Sequence, residues 1–436
     1  MIVLEYIFWV LVVLLVYPYL IYPALLKLMI KLGLRAGEPQ SDSSNLPRVT
    51  FMISAYNEEA VIDEKLRNTM ALDYPADKFE VIVVSDACDD RTDDIVREWS
   101  AKDARIKLVR QNERRGKSAG LNHGVAAATG DVIVFSDANA MYKNDAIREL
   151  VKYFGDAKVG YVMGAALYNQ SEGDTEATES EGLYWKFELL LKKLESEFYS
   201  VVGGDGAIYA IRKGLFFPLR DDDINDFVNP LQIVSKGYRG IFNEKAICYE
   251  DAAEEFGKEF KRKRRIANRS WRAVKRTIGS YGIFRDAPFL WELVSHKVIR
   301  WFSMPMIILL FLITLALVIP SQNVFYTVAL AAQIYMFAAT FIGAKLDAQQ
   351  QSIPKLIYLP YYFYLVYYAA MLGIWDERKE SSMQFGIMYE MLKQLKAQQK
   401  PQMAQQTIRR RNRKSGKSLA KLMRPQWFVL PNAVVL

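Results

Sequence analysis

At 436 residues the chain is too long for one ordinary domain, and its 51% hydrophobic content is uneven: apolar runs crowd the two ends and leave a polar middle. The formal charge of +8 would suit a nucleic-acid partner, but the excess sits in the tail and around residues 261–276, beside apolar runs. Attraction to anionic membrane lipids accounts for it more simply, and no nucleic acid is expected.

The first apolar run, residues 2–26, has Glu5 as its one charge and is long enough to cross a hydrocarbon core of about 30 Å at about 1.5 Å per residue. Residues 1–32 read as an uncleaved transmembrane anchor rather than a signal peptide, because no basic residue precedes the run and Lys27 and Lys31 follow it. A polar linker occupies 33–47. From there short β-prone runs alternate with helical ones: strands over 49–54, 80–85, 106–109 and 131–136, helices over 91–99 and 119–128. Continuous apolar strands suit a parallel sheet covered on both faces. Residues 48–275 are therefore predicted to form a cytoplasmic α/β domain with a mostly parallel sheet.

In open α/β sheets ligands bind beyond the carboxyl ends of strands. Polar residues gather there in three places, at 57–58, 86–90 and 137–139. Any one of these is equally a loop or helix cap; three in succession point to a site. Asp137-Ala138-Asn139 sets an acid and an amide two residues apart, so both can present oxygen to Mg2+ or Mn2+. Lys117 either meets phosphate charge or belongs to a solvated basic loop. Asp226 is either a general base or an acid favoured by a helix start. The run Lys261-Arg262-Lys263-Arg264-Arg265 either neutralises a departing diphosphate or binds lipid headgroups. Ser415-Gly416-Lys417-Ser418 ends like a phosphate loop, but Arg411 replaces the earlier glycine and no strand precedes it, so it is discarded.

Residues 276–303 read as an interfacial amphipathic segment. Three further apolar runs, 306–319, 324–342 and 356–375, read as spans within 304–376. The tyrosines of the last, from Tyr358 to Tyr368, form an interfacial belt, pack within the protein or line a polar path. These spans hold essentially no ionisable residues, which argues against a transporter. Lys27, Lys31, Arg35, Lys297 and Arg300 all flank the middle domain and place it on the cytoplasmic side. One crossing before the domain and three after it put the C-terminus outside, whereas the basic tail, 377–436, favours the inside. A re-entrant or interfacial segment among the apolar runs would reconcile the two. Cys88 and Cys248 lack metal-site spacing, and no disulfide is expected in a reducing compartment.

Taken in order, these segments resemble glycosyltransferase family 2. That group contains cellulose, chitin and hyaluronan synthases, poly-N-acetylglucosamine synthase-like enzymes and many bacterial polysaccharide and lipid glycosyltransferases. Ala55-Tyr56-Asn57-Glu58-Glu59 resembles its first nucleotide-binding loop, and the segment from Ser85 to Thr92 its Asp-Gly-Ser-x-Asp-x-Thr element. Gly116-Lys117-Ser118-Ala119-Gly120-Leu121-Asn122 resembles Gly-Lys-x-x-Ala-Leu-Asn, and Asp137-Ala138-Asn139 occupies the Asp-x-Asp place with Asn139 for the second acid. Gly203 to Tyr209 resembles the acceptor-side glycine loop, and Asn225-Asp226 the Glu-Asp pair. Of Gln-x-x-Arg-Trp only Arg264 is matched, which leaves processive synthesis unsupported.

The resemblance implies a GT-A type nucleotide-sugar-binding domain flanked by transmembrane helices. It implies Tyr56, Asn57, Glu58, Asp86, Lys117 and Asp137 on the donor, Asp137 and Asn139 on Mg2+ or Mn2+, and Gly204, Asp205 and Gly206 on the acceptor. Asp226 is the implied catalytic base, with Arg264 at the leaving group. The implied reaction is inverting transfer of a hexose or N-acetylhexosamine from a UDP-sugar to a saccharide at the cytoplasmic membrane face, in exopolysaccharide or cell-envelope glycan synthesis. A lipid or polyprenyl-phosphate acceptor is the alternative, and a non-catalytic nucleotide-binding scaffold or transporter is the reading from another class. Passage of a product through so few spans would call for a homo-oligomer or an export partner.

Overall fold

The computed structural model describes residues 1–42, 44–168, 176–250, 256–282 and 285–379. The basic tail beyond 379, with its phosphate-loop-like stretch, lies outside the described residues.

One eight-stranded sheet organises the middle of the chain, in the order β3-β2-β1-β4-β7-β6-β8-β5. Its strands are β1 Val49–Ala55, β2 Phe79–Ser85, β3 Ile106–Arg110, β4 Val132–Asp137, β5 Met141–Tyr142, β6 Val159–Tyr168, β7 Tyr209–Arg212 and β8 Arg239–Glu250. β1 to β4 are mutually parallel, β7 runs antiparallel between β4 and β6, β8 pairs parallel with β6, and β5 caps the edge antiparallel to β8. The four strands expected from the sequence all form, each within about two residues of its expected bounds.

The apolar runs are continuous because both faces of the sheet are covered. Phe51, Ile53, Val81, Val83 and Val134 face one core cluster, while Met52, Ile82, Ile133 and Phe135 face the other. The second face receives the helix Lys117–Ala127 at close range. A Cβ on Gly124 would lie 2.6 Å from Val84 Cγ2 and 2.9 Å from Met52 Sδ, and one on Gly120 2.7 Å from Val84 Cγ1. The glycines therefore bring the start of that helix down onto the ends of β1 and β2.

Four helices are long and apolar enough to cross a membrane among the described residues: Ile2–Lys31, Ser303–Ser321, Val324–Ala348 and Lys355–Lys379. The first widens by one turn at Tyr17–Ile21, where Pro18 has no N–H to donate. Its N-terminal half packs Phe8 and Leu11 against Ile313, Leu317 and Tyr326, and its C-terminal half packs Tyr22 and Leu26 against Leu191, Leu194 and Phe198. The segment expected to be interfacial, 276–303, folds against that C-terminal half. There His296, fully buried, bridges Glu195 Oε1 at 2.7 Å and Glu188 Oε2 at 3.1 Å. Burial opposes ionisation of Glu188, but Arg300 and His296 outweigh it and hold its carboxyl well below the usual range.

Candidate active site

β1 ends at Ala55 beside Ser85 of β2, and Asp137 closes β4 beside Ser54. Beyond these ends lies a cleft of about 350 Å3 bordered by Tyr56, Glu58, Asp86, Gln111, Lys117, Asp137 and Asn139. Of the expected donor residues only Asn57 turns away from the cleft wall, its Nδ2 donating to Asp89 Oδ1 at 2.5 Å. Asn57 and Ala87 both hold φ near 55°, a left-handed backbone uncommon outside glycine and typical of loops shaped for a ligand.

Asp86 is held rather than exposed. Its Oδ1 accepts from Gln111 Nε2 at 2.7 Å, Arg115 N at 2.9 Å and Gly116 N at 3.0 Å. It thereby fixes the turn at Gly116, whose φ of 91° places Lys117 at the first position of its helix. The Arg114 guanidinium lies 3.9 Å over the ring of Tyr56, which borders the cleft.

Lys117, Asp137 and Asp226 meet at Gly206. A Cβ there would lie 3.4 Å from Lys117 Nζ and 3.5 Å from a carboxylate oxygen of each acid. Lys117 is bonded to Asp137 Oδ1. Burial opposes its charge, yet the Asp137 carboxylate prevails and raises its pKa. Asp226 lies in the first turn of the helix Asn225–Ser235, and its main-chain oxygen accepts from Gly204 N at 2.5 Å, which pins the glycine loop to this residue. Asp226 Oδ1 is buried without a hydrogen-bond partner among the described residues. Burial, with Asp205 and Asp137 nearby, pushes its carboxyl upward while Lys117 opposes. Glu58 is likewise pushed up, by burial first and then by Asp137 and Asp90.

Two contributors were not read from the sequence. Glu250 ends β8 beside Tyr168 of β6, at the same sheet edge, and burial with Asp205 and Asp137 pushes its carboxyl up to about 7. Lys65 is fully buried under the Asp137-Ala138-Asn139 turn and donates to Ser136 Oγ at 2.8 Å and to the Ala140 carbonyl, so it braces both sides of that turn. Glu250 carried one usable signal, its place at the end of a long β-prone run. Lys65 carried none.

Arg264 is engaged elsewhere, its Nε donating to Asp376 Oδ2 at 2.6 Å. Arg262, two positions earlier, is the member of the basic run whose charge lowers Glu250. The acids 221–223 are structural, pairing with Arg115, Arg272 and Arg276 respectively.

Asp137, Asp226 and Glu250 crowd around Lys117, and two of the three are forced toward their neutral forms. Such an excess of acid, with the Asn139 amide bordering the same cleft, fits a divalent cation. Among the described residues no three acid, histidine or cysteine side chains form a ready cage. Asp137 and Asn139 would thus hold the ion together with donor phosphate oxygens, the manner in which Mg2+ binds at phosphoryl sites.

Residues 50–216 match the sequence model described as Glycosyl transferase family 2. A probable glycosyltransferase, YdaM, from Bacillus subtilis is 42% identical over 129 residues, which cover 29% of this chain and 31% of that one. A beta-monoglucosyldiacylglycerol synthase from Synechocystis is 37% identical over 116 residues, 26% of this chain and 24% of that one. A poly-beta-1,6-N-acetyl-D-glucosamine synthase from Staphylococcus aureus is 31% identical over 128 residues, 29% of this chain and 30% of that one. The chain thus spans less than a third of the length of these curated relatives. Among solved structures, the mannosyltransferase PcManGT from Pyrobaculum calidifontis, in complex with GDP-Man and Mn2+, superposes with a TM-score of 0.64 at 24% identity, over 86% of this chain and 99% of that one. That likeness is one of fold. With the strand-end cleft and its acid cluster, the match makes residues 50–216 a glycosyltransferase family 2 domain on a GT-A fold.

Proposed function

We propose that the protein transfers a sugar from a nucleoside-diphosphate donor to an acceptor hydroxyl with inversion, at the cytoplasmic face of a membrane. The observation that carries this reading is the meeting of Lys117, Asp137 and Asp226 in the space a Cβ on Gly206 would fill. Asp226 Oδ1, buried without a partner, is the atom that takes the acceptor proton. The acceptor oxygen attacks the anomeric carbon as its bond to the diphosphate breaks. Lys117 and the first N–H groups of its helix receive the departing charge. A divalent cation on Asp137 and Asn139 supplies further neutralisation of the diphosphate when bound. The backbone of Gly204 to Gly206 lies against Asp226 and admits the acceptor closely.

A UDP-linked hexose or N-acetylhexosamine is the expected donor. A saccharide hydroxyl and a lipid hydroxyl both arrive un-ionised and need Asp226. A polyprenyl phosphate does not, so the buried base favours a hydroxyl acceptor. The anomeric configuration of the product, read by proton NMR, tests the reading: an α-linked donor should yield a β-linked product, and an α-linked product would refute single displacement by the acceptor oxygen with Asp226 as its base.

The positive flanks of the domain support the cytoplasmic side. The last apolar helix supports a tail on that same side. Its apolar stretch is 44% buried in the protein, against 11–28% for the other three, and its end is tied to the catalytic domain by Asp376 and Glu377.

A further inference from the structure

Beneath the basic helix Phe256–Thr277, a pocket of about 510 Å3 opens between that helix and the three late apolar helices. Phe260, Met304, Phe337, Tyr364, Leu365 and Tyr368 form its walls. The Tyr361 hydroxyl donates to Asp347 Oδ2 at 2.8 Å, so this pair of polar groups satisfies itself. Lys261 stands at the rim, exposed. A volume within the roughly 300–1,000 Å3 usual for small-ligand sites, with an apolar lining and one cation at its edge, suits an amphiphile with a hydrocarbon chain.

The pocket sits on the domain's side of the membrane helices. Asp376 and Glu377, near the end of the last helix, accept from Arg264 Nε and Lys275 Nζ, each at 2.6 Å. Gly373 lets that helix touch the basic one, since a Cβ there would come 2.3 Å from the Arg264 carbonyl. The other walls, Met304 and Ala344, belong to the inner ends of helices Ser303–Ser321 and Val324–Ala348. The basic helix that carries Lys261 also pairs, through Arg272 and Arg276, with Asp222 and Asp223 just ahead of Asp226, so one helix borders both the pocket and the chain that leads into Asp226.

We propose that this pocket holds one hydrocarbon chain of a lipid acceptor, with Lys261 at its mouth and the reacting hydroxyl directed toward Asp226. A saccharide chain would find few hydrogen-bond partners on these walls, and a soluble protein would not reach between membrane helices. The assignment of the ligand as acceptor rests on the transferase reading above.

The full-length protein in phosphatidylcholine vesicles, loaded with a diacylglycerol that carries a diazirine in one acyl chain, gives the test by irradiation and peptide mapping. Labelling is expected to concentrate around Phe260 and Tyr364 to Tyr368, and to be lost in Ala344→Trp, whose indole fills the pocket, while nucleotide binding is kept. Thr340→Leu is a milder filler that serves if the tryptophan variant does not fold. Labelling spread evenly over the bilayer-facing helices, or unchanged by either filler, overturns the site. Loss of labelling with an unchanged KM for transfer to diacylglycerol assigns the pocket to a bulk bilayer lipid and overturns the acceptor role. Failure of the transferase reading shows separately, as no nucleotide release from any donor, while labelling still decides whether a lipid chain enters.

Discussion

Asp137, Asp226 and Glu250 share the one ammonium of Lys117, and the consequences differ by residue. Glu250 bears the heaviest burden, its carboxyl pushed up to about 7 by burial and by Asp205 and Asp137. Between its ordinary value and about 7 the folded protein therefore binds more protons at this site than the unfolded chain does. Stability falls as pH rises through that window. Glu250→Gln, which keeps the shape and removes the charge, should raise the melting temperature more at pH about 8 than at pH about 5 when read in EDTA. An equal gain at both would show that Glu250 does not feel the cluster. Asp137 and Asp226 were legible in the sequence because each ends a β-prone run or opens a helical one within an ordered set of motifs. Glu250 was not, because the pairing that brings Tyr168 and Glu250 together joins residues far apart in the chain. Lys65 reads in the sequence as one more polar residue on an amphipathic helix, and only its burial under the Asp137 turn gives it a role.

Among the elements, the helix Lys117–Ala127 does most to shape the cleft, because Gly120 and Gly124 let it press on β1 and β2. Gly124→Val is expected to cost about 1–3 kcal/mol through overpacking against Val84 and Met52. Because the same contact sets Lys117 opposite Asp137, nucleotide affinity should fall with it. Chemical denaturation and nucleotide titration of one preparation check both effects, and a variant as stable and tight-binding as the parent would dismiss the close packing. The parallel half of the sheet was legible from local pattern alone, since β1 to β4 are continuous apolar runs followed by polar loops. The other half was not, for β5 to β8 are paired in a mixed order that no local periodicity encodes. Arg264 shows the same limit at the site. A motif position suggested the leaving group, whereas the fold spends that guanidinium on Asp376.

On the scale of the molecule, the anchor and the catalytic loop share a buried polar network. Tyr22 of the first helix donates to Glu195 Oε1 at 3.0 Å, and Glu195 Oε2 accepts from Val202 N at 3.2 Å, one residue before the glycine loop. The first helix thus helps to set the position of the glycine loop, which is pinned to Asp226. Placing the tail on the domain's side predicts that a cysteine at Ser415 reacts with a membrane-impermeant maleimide only after cells are permeabilised. Cys88 and Cys248, both buried, should give little background, and labelling in intact cells would put the tail outside. The most direct test of the central claim is nucleotide release by the detergent-solubilised full chain, with a panel of sugar nucleotides, Mn2+ or Mg2+, and membrane lipid extract as acceptor, in parent and Asp226→Asn. Metal-dependent release with one donor, falling by about a hundredfold or more in the variant, is the predicted result. Binding without release from every donor, or release that Asp226→Asn leaves intact, would contradict it.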